Sequence, residues 1–162
     1  MRPFLPAAAL FLVAVLFAAP GRAATATGSF QVRINIEAGC TVNSATTLDF
    51  GNVGVLAADT DVASTITVQC TATTPYSIGL SAGLHGGSVT TRQMSNGAGT
   101  IAYSLWRDAG RSLNWGNTVA GDTVDAVGNG AAQAHTVYGR VPPQTTPAPG
   151  LYTDTITVTV TY

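Results

Sequence analysis

Beyond its first twenty residues, this chain repeats its apolar residues at every second position, and no segment keeps them at helical spacing. Ser29 to Glu37 is the plainest case. Phe30, Val32, Ile34 and Ile36 alternate with Gln31, Arg33 and Asn35, so a pleated strand would carry one apolar and one polar face. The same period runs through Val62–Cys70 (Ile66, Val68, Cys70), Pro75–Ser81 (Tyr76, Ile78, Leu80) and Thr100–Trp106 (Ile101, Tyr103, Leu105). Shorter runs at Cys40–Val42, Thr47–Val53, Thr90–Met94, Ser112–Trp115 and Gln133–Val141 are separated by Gly, Asn, Asp and Pro. Thr, Gly, Val and Ala abound, whereas helix-favouring Glu occurs once, as Glu37, and Lys never. Seven or eight strands at this spacing predict a single all-β domain, a β-sandwich of immunoglobulin-like type.

The amino terminus belongs to a different economy. Met1-Arg2 is a short basic start, and Pro6 to Ala19 is an apolar run too short to span a bilayer comfortably. Pro20-Gly21 and small residues follow. Residues 1–23 therefore read as an export signal, with cleavage after Ala23 or, as the alternative, after Ala26.

Seven arginines against eight acidic residues give a net charge of −1, with 9% of the chain charged. No field exists to hold nucleic acid or an anionic membrane. In an exported protein the two cysteines, Cys40 and Cys70, read as one disulfide. A metal site would have to recruit His85 or His135, neither at ligand spacing from a cysteine, so no metal and no cofactor is expected. Catalysis is not expected either. No serine sits in a recognisable nucleophile elbow, and a lone glutamate offers no carboxylate pair for glycoside hydrolysis. Trp106 and Trp115 read as packing residues rather than a sugar-stacking platform.

The last segment carries the functional expectation. Leu151–Tyr162 places Tyr152, Asp154, Ile156, Val158, Val160 and Tyr162 in one phase. As the final core strand of a sandwich it would lack a neighbour, leaving a groove flanked by Ile156, Val158, Val160 and Tyr162. Ser29–Glu37 is a spare strand at the opposite end. A spare strand and a missing strand on one chain imply head-to-tail pairing between copies. The competing readings are that Ser29–Glu37 pairs within its own chain, and that Gly150–Tyr162 is an ordinary edge strand.

Gly39-Cys40-Thr41-Val42, Leu48-Asp49-Phe50-Gly51, Val68-Gln69-Cys70, Tyr103 to Asp108 and Gly150-Leu151-Tyr152-Thr153-Asp154-Thr155 together resemble the spore coat U domain family. That family includes subunits of archaic, Csu-type chaperone-usher pili of Gram-negative bacteria. The resemblance spans essentially the whole chain after the signal. It implies an incomplete immunoglobulin-like pilin lacking its final strand and completed by donor-strand exchange. Residues 24–37 would be the donor segment, with Phe30, Val32, Ile34 and Ile36 entering a neighbour, and 38–162 the pilin domain. Its partners would be a periplasmic chaperone, an outer-membrane usher and neighbouring subunits, on the way from periplasm to a cell-surface fibre serving adhesion and biofilm formation. A single domain with its own donor segment fits a shaft or adaptor rather than a tip. The alternatives are a spore or cyst coat protein and a secreted, non-polymerising glycan-binding sandwich using Trp115 and the Gly-rich loops.

Overall fold

A computed structural model describes residues 21–162. The export-signal reading falls largely on residues 1–20, outside the described residues. The chain divides into two units, Met1–Ile34 and Asn35–Tyr162. In the first, the described residues 21–34 are exposed and enter no strand.

The second unit holds eight strands among the described residues: β1 Cys40–Ala45, β2 Thr60–Cys70, β3 Pro75–Leu80, β4 Arg92–Ser95, β5 Thr100–Trp106, β6 Val124–Val127, β7 Ala132–Val141 and β8 Val158–Thr161. All pairings are antiparallel. They form a five-stranded sheet in the order β1-β2-β7-β5-β4 and a three-stranded sheet in the order β6-β3-β8. No helix occurs among the described residues. The predicted all-β sandwich is the observed fold.

The period-2 faces become its interior. Ile66, Val68 and Cys70 from β2, Val137 and Val141 from β7, and Tyr103 and Leu105 from β5 meet Tyr76, Ile78 and Leu80 from β3. Cys40 and Cys70 form the expected disulfide, which ties β1 to its neighbour at the start of their ladder.

Several local expectations are corrected. Thr47–Val53 is not a strand; Leu48 leaves the ladder to cover β7, where a Cβ on Gly139 would come within 2.7 Å of it. Ser112–Trp115 shrinks to one bridge, Trp106 to Asn114, where Arg107 to Leu113 loop back onto the end of β5, Arg107 N donating to Leu113 O and Trp115 N to Leu105 O. The final strand is ladder-paired only at Val158–Thr161, with one earlier bridge from Thr153 to Ser95. β6 had no predicted counterpart. Trp115 is fully buried, its indole N–H donating to Ile78 O at 2.8 Å, so the glycan-binding alternative loses its aromatic platform.

Candidate strand-acceptor groove

One side of the sandwich is closed by the chain itself. Trp115 N donates to Leu105 O of the larger sheet, and Leu80 N of the smaller sheet donates to Gly116 O. Arg92 secures this junction. Its side chain is completely buried, and its guanidinium donates to the carbonyls of Leu80, Ser81, Val89 and Trp115 at 2.8–3.1 Å. Burial lowers its pKa from the ordinary arginine value. Five N–H donors in a fixed fork suit such a multi-carbonyl clamp, which a lysine could not reproduce. The sequence offered no signal for this role, since arginine is rarely fully buried.

The opposite side is open. β1 and β8, edge strands of different sheets, lie next to each other there. Directly opposed residues in a ladder share a face. Val42 faces inward because it opposes fully buried Val68, and Val160 and Val158 face inward because they oppose buried Ile78 and Leu80. Yet Val42 is 43% exposed, Tyr162 is 61% exposed, and Ile156, Val158 and Val160 are only partly buried. The inward faces of the two edge strands therefore line an uncovered apolar strip. Among the described residues β8 pairs with β3 alone, so its other edge keeps unused N–H and C=O groups.

The terminal Gly-x-Tyr-x-Asp-Thr run delivers β8 to this place. Thr153 exchanges two backbone hydrogen bonds with Ser95, at the β4 edge of the larger sheet. Four residues later Thr157 O accepts from Ser81 N, at the end of β3 in the smaller sheet. The final segment thus changes sheets, and Asp154 sits at the crossing. Its carboxylate accepts from Tyr103 Oη at 2.6 Å, Leu84 N at 2.7 Å and its own neighbour Thr155 N at 2.8 Å. Burial and the Asp154 carboxylate together hold the Tyr103 phenol protonated far above its ordinary range. Gly83, at φ +82°, makes room: a Cβ there would fall 1.9 Å from Asp154 Oδ2. Near this crossing a half-enclosed cavity of about 770 Å³ is lined by Leu48, Phe50, Met94, Ile101, Val141 and Tyr152 among others.

Tyr76 Oη and His135 Nε2 meet at 2.9 Å across the two sheets, and burial lowers the histidine pKa. No group of three or more His, Cys, Asp or Glu that could hold a metal occurs among the described residues. His85 is exposed and remote from this pair in the chain.

The predicted donor residues show the complementary property. Phe30, Val32 and Ile34 are 85–88% exposed and Ile36 is 68% exposed, an apolar row on a segment that enters no strand.

A family model described as the Spore Coat Protein U domain matches residues 26–159. A relative, Protein U of Myxococcus xanthus, is 33% identical over 159 residues, covering 88% of this chain and 88% of its own. Among solved structures, the sandwich is similar to a chain from the CsuC-CsuE chaperone-tip adhesion subunit pre-assembly complex, from archaic chaperone-usher Csu pili of Acinetobacter baumannii. The TM-score is 0.59 at 22% identity, covering 78% of this chain and 40% of that one.

Proposed function

We propose, from the premise that the chain belongs to the Spore Coat Protein U domain family, that it is a structural subunit of a chaperone-usher surface fibre, joined head to tail by strand donation. The observation that carries this reading is the uncovered inward face of Val42, Val158 and Val160 beside the edge of β8 that is unpaired among the described residues. Strand addition to an open edge is an established mode of recognition, and chaperone–pilin complementation is one of its known examples. Residues 24–37 are the donor segment, 38–162 the acceptor domain, and 1–23 the export signal that sends the chain to the periplasm. Phe30, Val32, Ile34 and Ile36 of one copy fill the strip of the next. Before assembly a periplasmic chaperone occupies the same strip, and an outer-membrane usher exchanges it for the next subunit. A fibre so built serves adhesion and biofilm formation.

The energetics are workable. Burying the four donor side chains contributes about 6–12 kcal/mol gross, at roughly 1.5–3 each, and each ladder hydrogen bond adds about 0.5–1.5. Ordering the peptide opposes this by about 1–2 kcal/mol per residue. Persistence of the fibre then depends on the barrier to stripping an interior strand from a closed sandwich. Ile34→Asp places a charge in the strip and is expected to abolish polymer ladders in unheated gels while leaving the chaperone complex intact. Ladders of normal length from this variant would refute the reading.

A second reading, a coat component built by the same strand addition, is favoured by the match to Protein U. Immunogold labelling separates them: thin extracellular fibres support the pilus, and label confined to a cell or spore envelope supports the coat.

A further inference from the structure

We infer that the folded chain offers a basic-specific endopeptidase one bond, Arg33–Ile34, and that a cut there disarms the subunit as a strand donor. The choice of bond rests on the arginines alone; its consequence rests on the strand-donation reading above.

With no lysine in the sequence, only arginine can fill the acidic specificity pocket of a trypsin-type enzyme. The sandwich withholds all four of its arginines. Arg92 is fully buried under four carbonyl bonds. The Arg107 guanidinium donates to the Thr123 and Gly121 carbonyls. Arg111, with a side chain 16% exposed, lies 3.2 Å from Asp61 and over the Tyr138 ring. Arg140 grips Asp61 through two hydrogen bonds of 2.7 and 2.8 Å, and its backbone is in register with both Asp61 of β2 and Ser104 of β5. A protease must take its substrate as an extended strand with free main-chain groups; Arg92 and Arg140 lie in ladders, and Arg107 and Arg111 lie in a turn closed by Arg107 N to Leu113 O and Arg111 N to Asp108 O, so none can supply one without local unfolding.

Arg33 differs on every count. It is exposed, it lies in a segment without strand pairing, and among the described residues no main-chain hydrogen bond involves 24–36. Arg22, the other exposed arginine among the described residues, precedes both expected signal-cleavage points.

Hydrolysis adds one water across the amide, breaking the C–N bond to give an Arg33 carboxylate and an Ile34 ammonium. No further reactant is needed. The cut parts Phe30 and Val32 from Ile34 and Ile36, and it puts a cation on the residue that must enter an apolar strip, where an unpaired charge is strongly disfavoured. In an assembled chain Arg33 occupies the polar face of a paired strand, so the same bond closes to the enzyme. Assembly state thereby decides which subunits are cut.

The test is timed trypsin digestion of the disulfide-intact chain lacking its signal, read by intact mass and amino-terminal sequencing. One fast cut with Ile34 as the new terminus is expected, with cleavage after Arg92, Arg107, Arg111 and Arg140 at least about 100-fold slower, as for sites that wait on opening. Arg33→Gln removes the fast cut. Comparably fast cuts inside the sandwich, or an unassembled chain resistant at Arg33, overturn the inference. Polymerisation is then compared: uncut wild-type chains form ladders and clipped wild-type chains form none. Ladders from clipped chains overturn the disarming. Uncut chains that never form ladders overturn the donor reading and with it the disarming, while the fragment pattern still decides the bond.

Discussion

Asp154→Ala tests whether the sheet crossing holds the last strand in place. The substitution removes the acceptor for Tyr103 Oη, Leu84 N and Thr155 N. Leu84 and Thr155 are exposed and turn to water, so their loss is small. Tyr103 is only 5% exposed, and its hydroxyl is left without a carboxylate to which it donated at 2.6 Å. A hydrogen bond to a charged group is worth about 1.5–3 kcal/mol, and an orphaned buried donor costs about 1–3. Together with one weakened turn the expected destabilisation is about 3 kcal/mol, a melting temperature lower by roughly 10 °C. Tyr103→Phe leaves the carboxylate its two backbone donors and should cost about 1.5 kcal/mol. Urea unfolding of both single variants and the double variant gives the coupling, expected at about 1–2 kcal/mol. An Asp154→Ala loss under 0.5 kcal/mol, or additivity in the cycle, would refute the claim that this pair anchors the crossing.

Removing the disulfide by Cys40→Ser with Cys70→Ser releases a 30-residue closure and should cost about 3.6 kcal/mol on the chain-entropy model, read as a shift in the urea midpoint. Gly83→Ala brings a Cβ into the Asp154 carboxylate at a left-handed backbone position, so its melting temperature should fall at least as far as that of Asp154→Ala. Val160→Asp charges the inward face of β8 and should prevent a synthetic 24–37 peptide from raising the melting temperature, whereas Thr159→Asp on the outward face should not. Because burial holds the folded His135 pKa below its unfolded value near 6.5, the stability it supports is complete above that value and is lost as pH falls through the folded pKa. His135→Gln, retaining a partner for Tyr76, should flatten the acid limb of a melting-temperature profile; an unchanged limb would show that other groups set it.

Alternation was enough to find the strands that meet buried partners. Ile66-Val68-Cys70 and Tyr76-Ile78-Leu80 became inward faces that share one buried core. The same rule placed Val158 and Val160 on the inward face of β8 and Phe30, Val32 and Ile34 on one row, which is exposed, so the local faces on which the candidate site is built were legible in the sequence. It failed where pairing depends on the course of the backbone rather than on local pattern. Thr47–Val53 alternates well, yet the β1 ladder with β2 has already ended at Ala45 and Leu48 lies over the glycine of β7. β6 is four residues with an aspartate in the middle, too short and polar to stand out, and exists because β3 presents an edge to it. Arg92 and Asp154 escaped for a related reason. Each is a charged residue whose decisive partners, the Leu80, Ser81 and Trp115 carbonyls in one case and the Tyr103 hydroxyl and Leu84 amide in the other, come from other segments and meet only once the sheets close.

The two open edges also lack the devices by which sheets usually discourage company. Free edges are commonly blunted by lysine, proline or inward-pointing charge. β8 carries Val158-Thr159-Val160-Thr161 with none of these, and β1 carries Cys40-Thr41-Val42-Asn43-Ser44-Ala45, uncharged throughout. By contrast β6, the other edge of the smaller sheet, holds Asp125, and the β4 edge of the larger sheet is capped by the bridge from Thr153. Protection is thus present where the sandwich meets solvent and absent where β1 and β8 adjoin. An uncharged edge of this kind left uncovered is a predicted aggregation site. On the strand-donation reading proposed above, a chaperone strand and then a neighbour's Phe30–Ile36 row would cover it. The prediction that separates this from a tolerated free edge is a Thr159→Lys variant, which should improve recovery of soluble chain in the absence of any chaperone. Equal recovery with and without the lysine would mean that the edge never needed a partner.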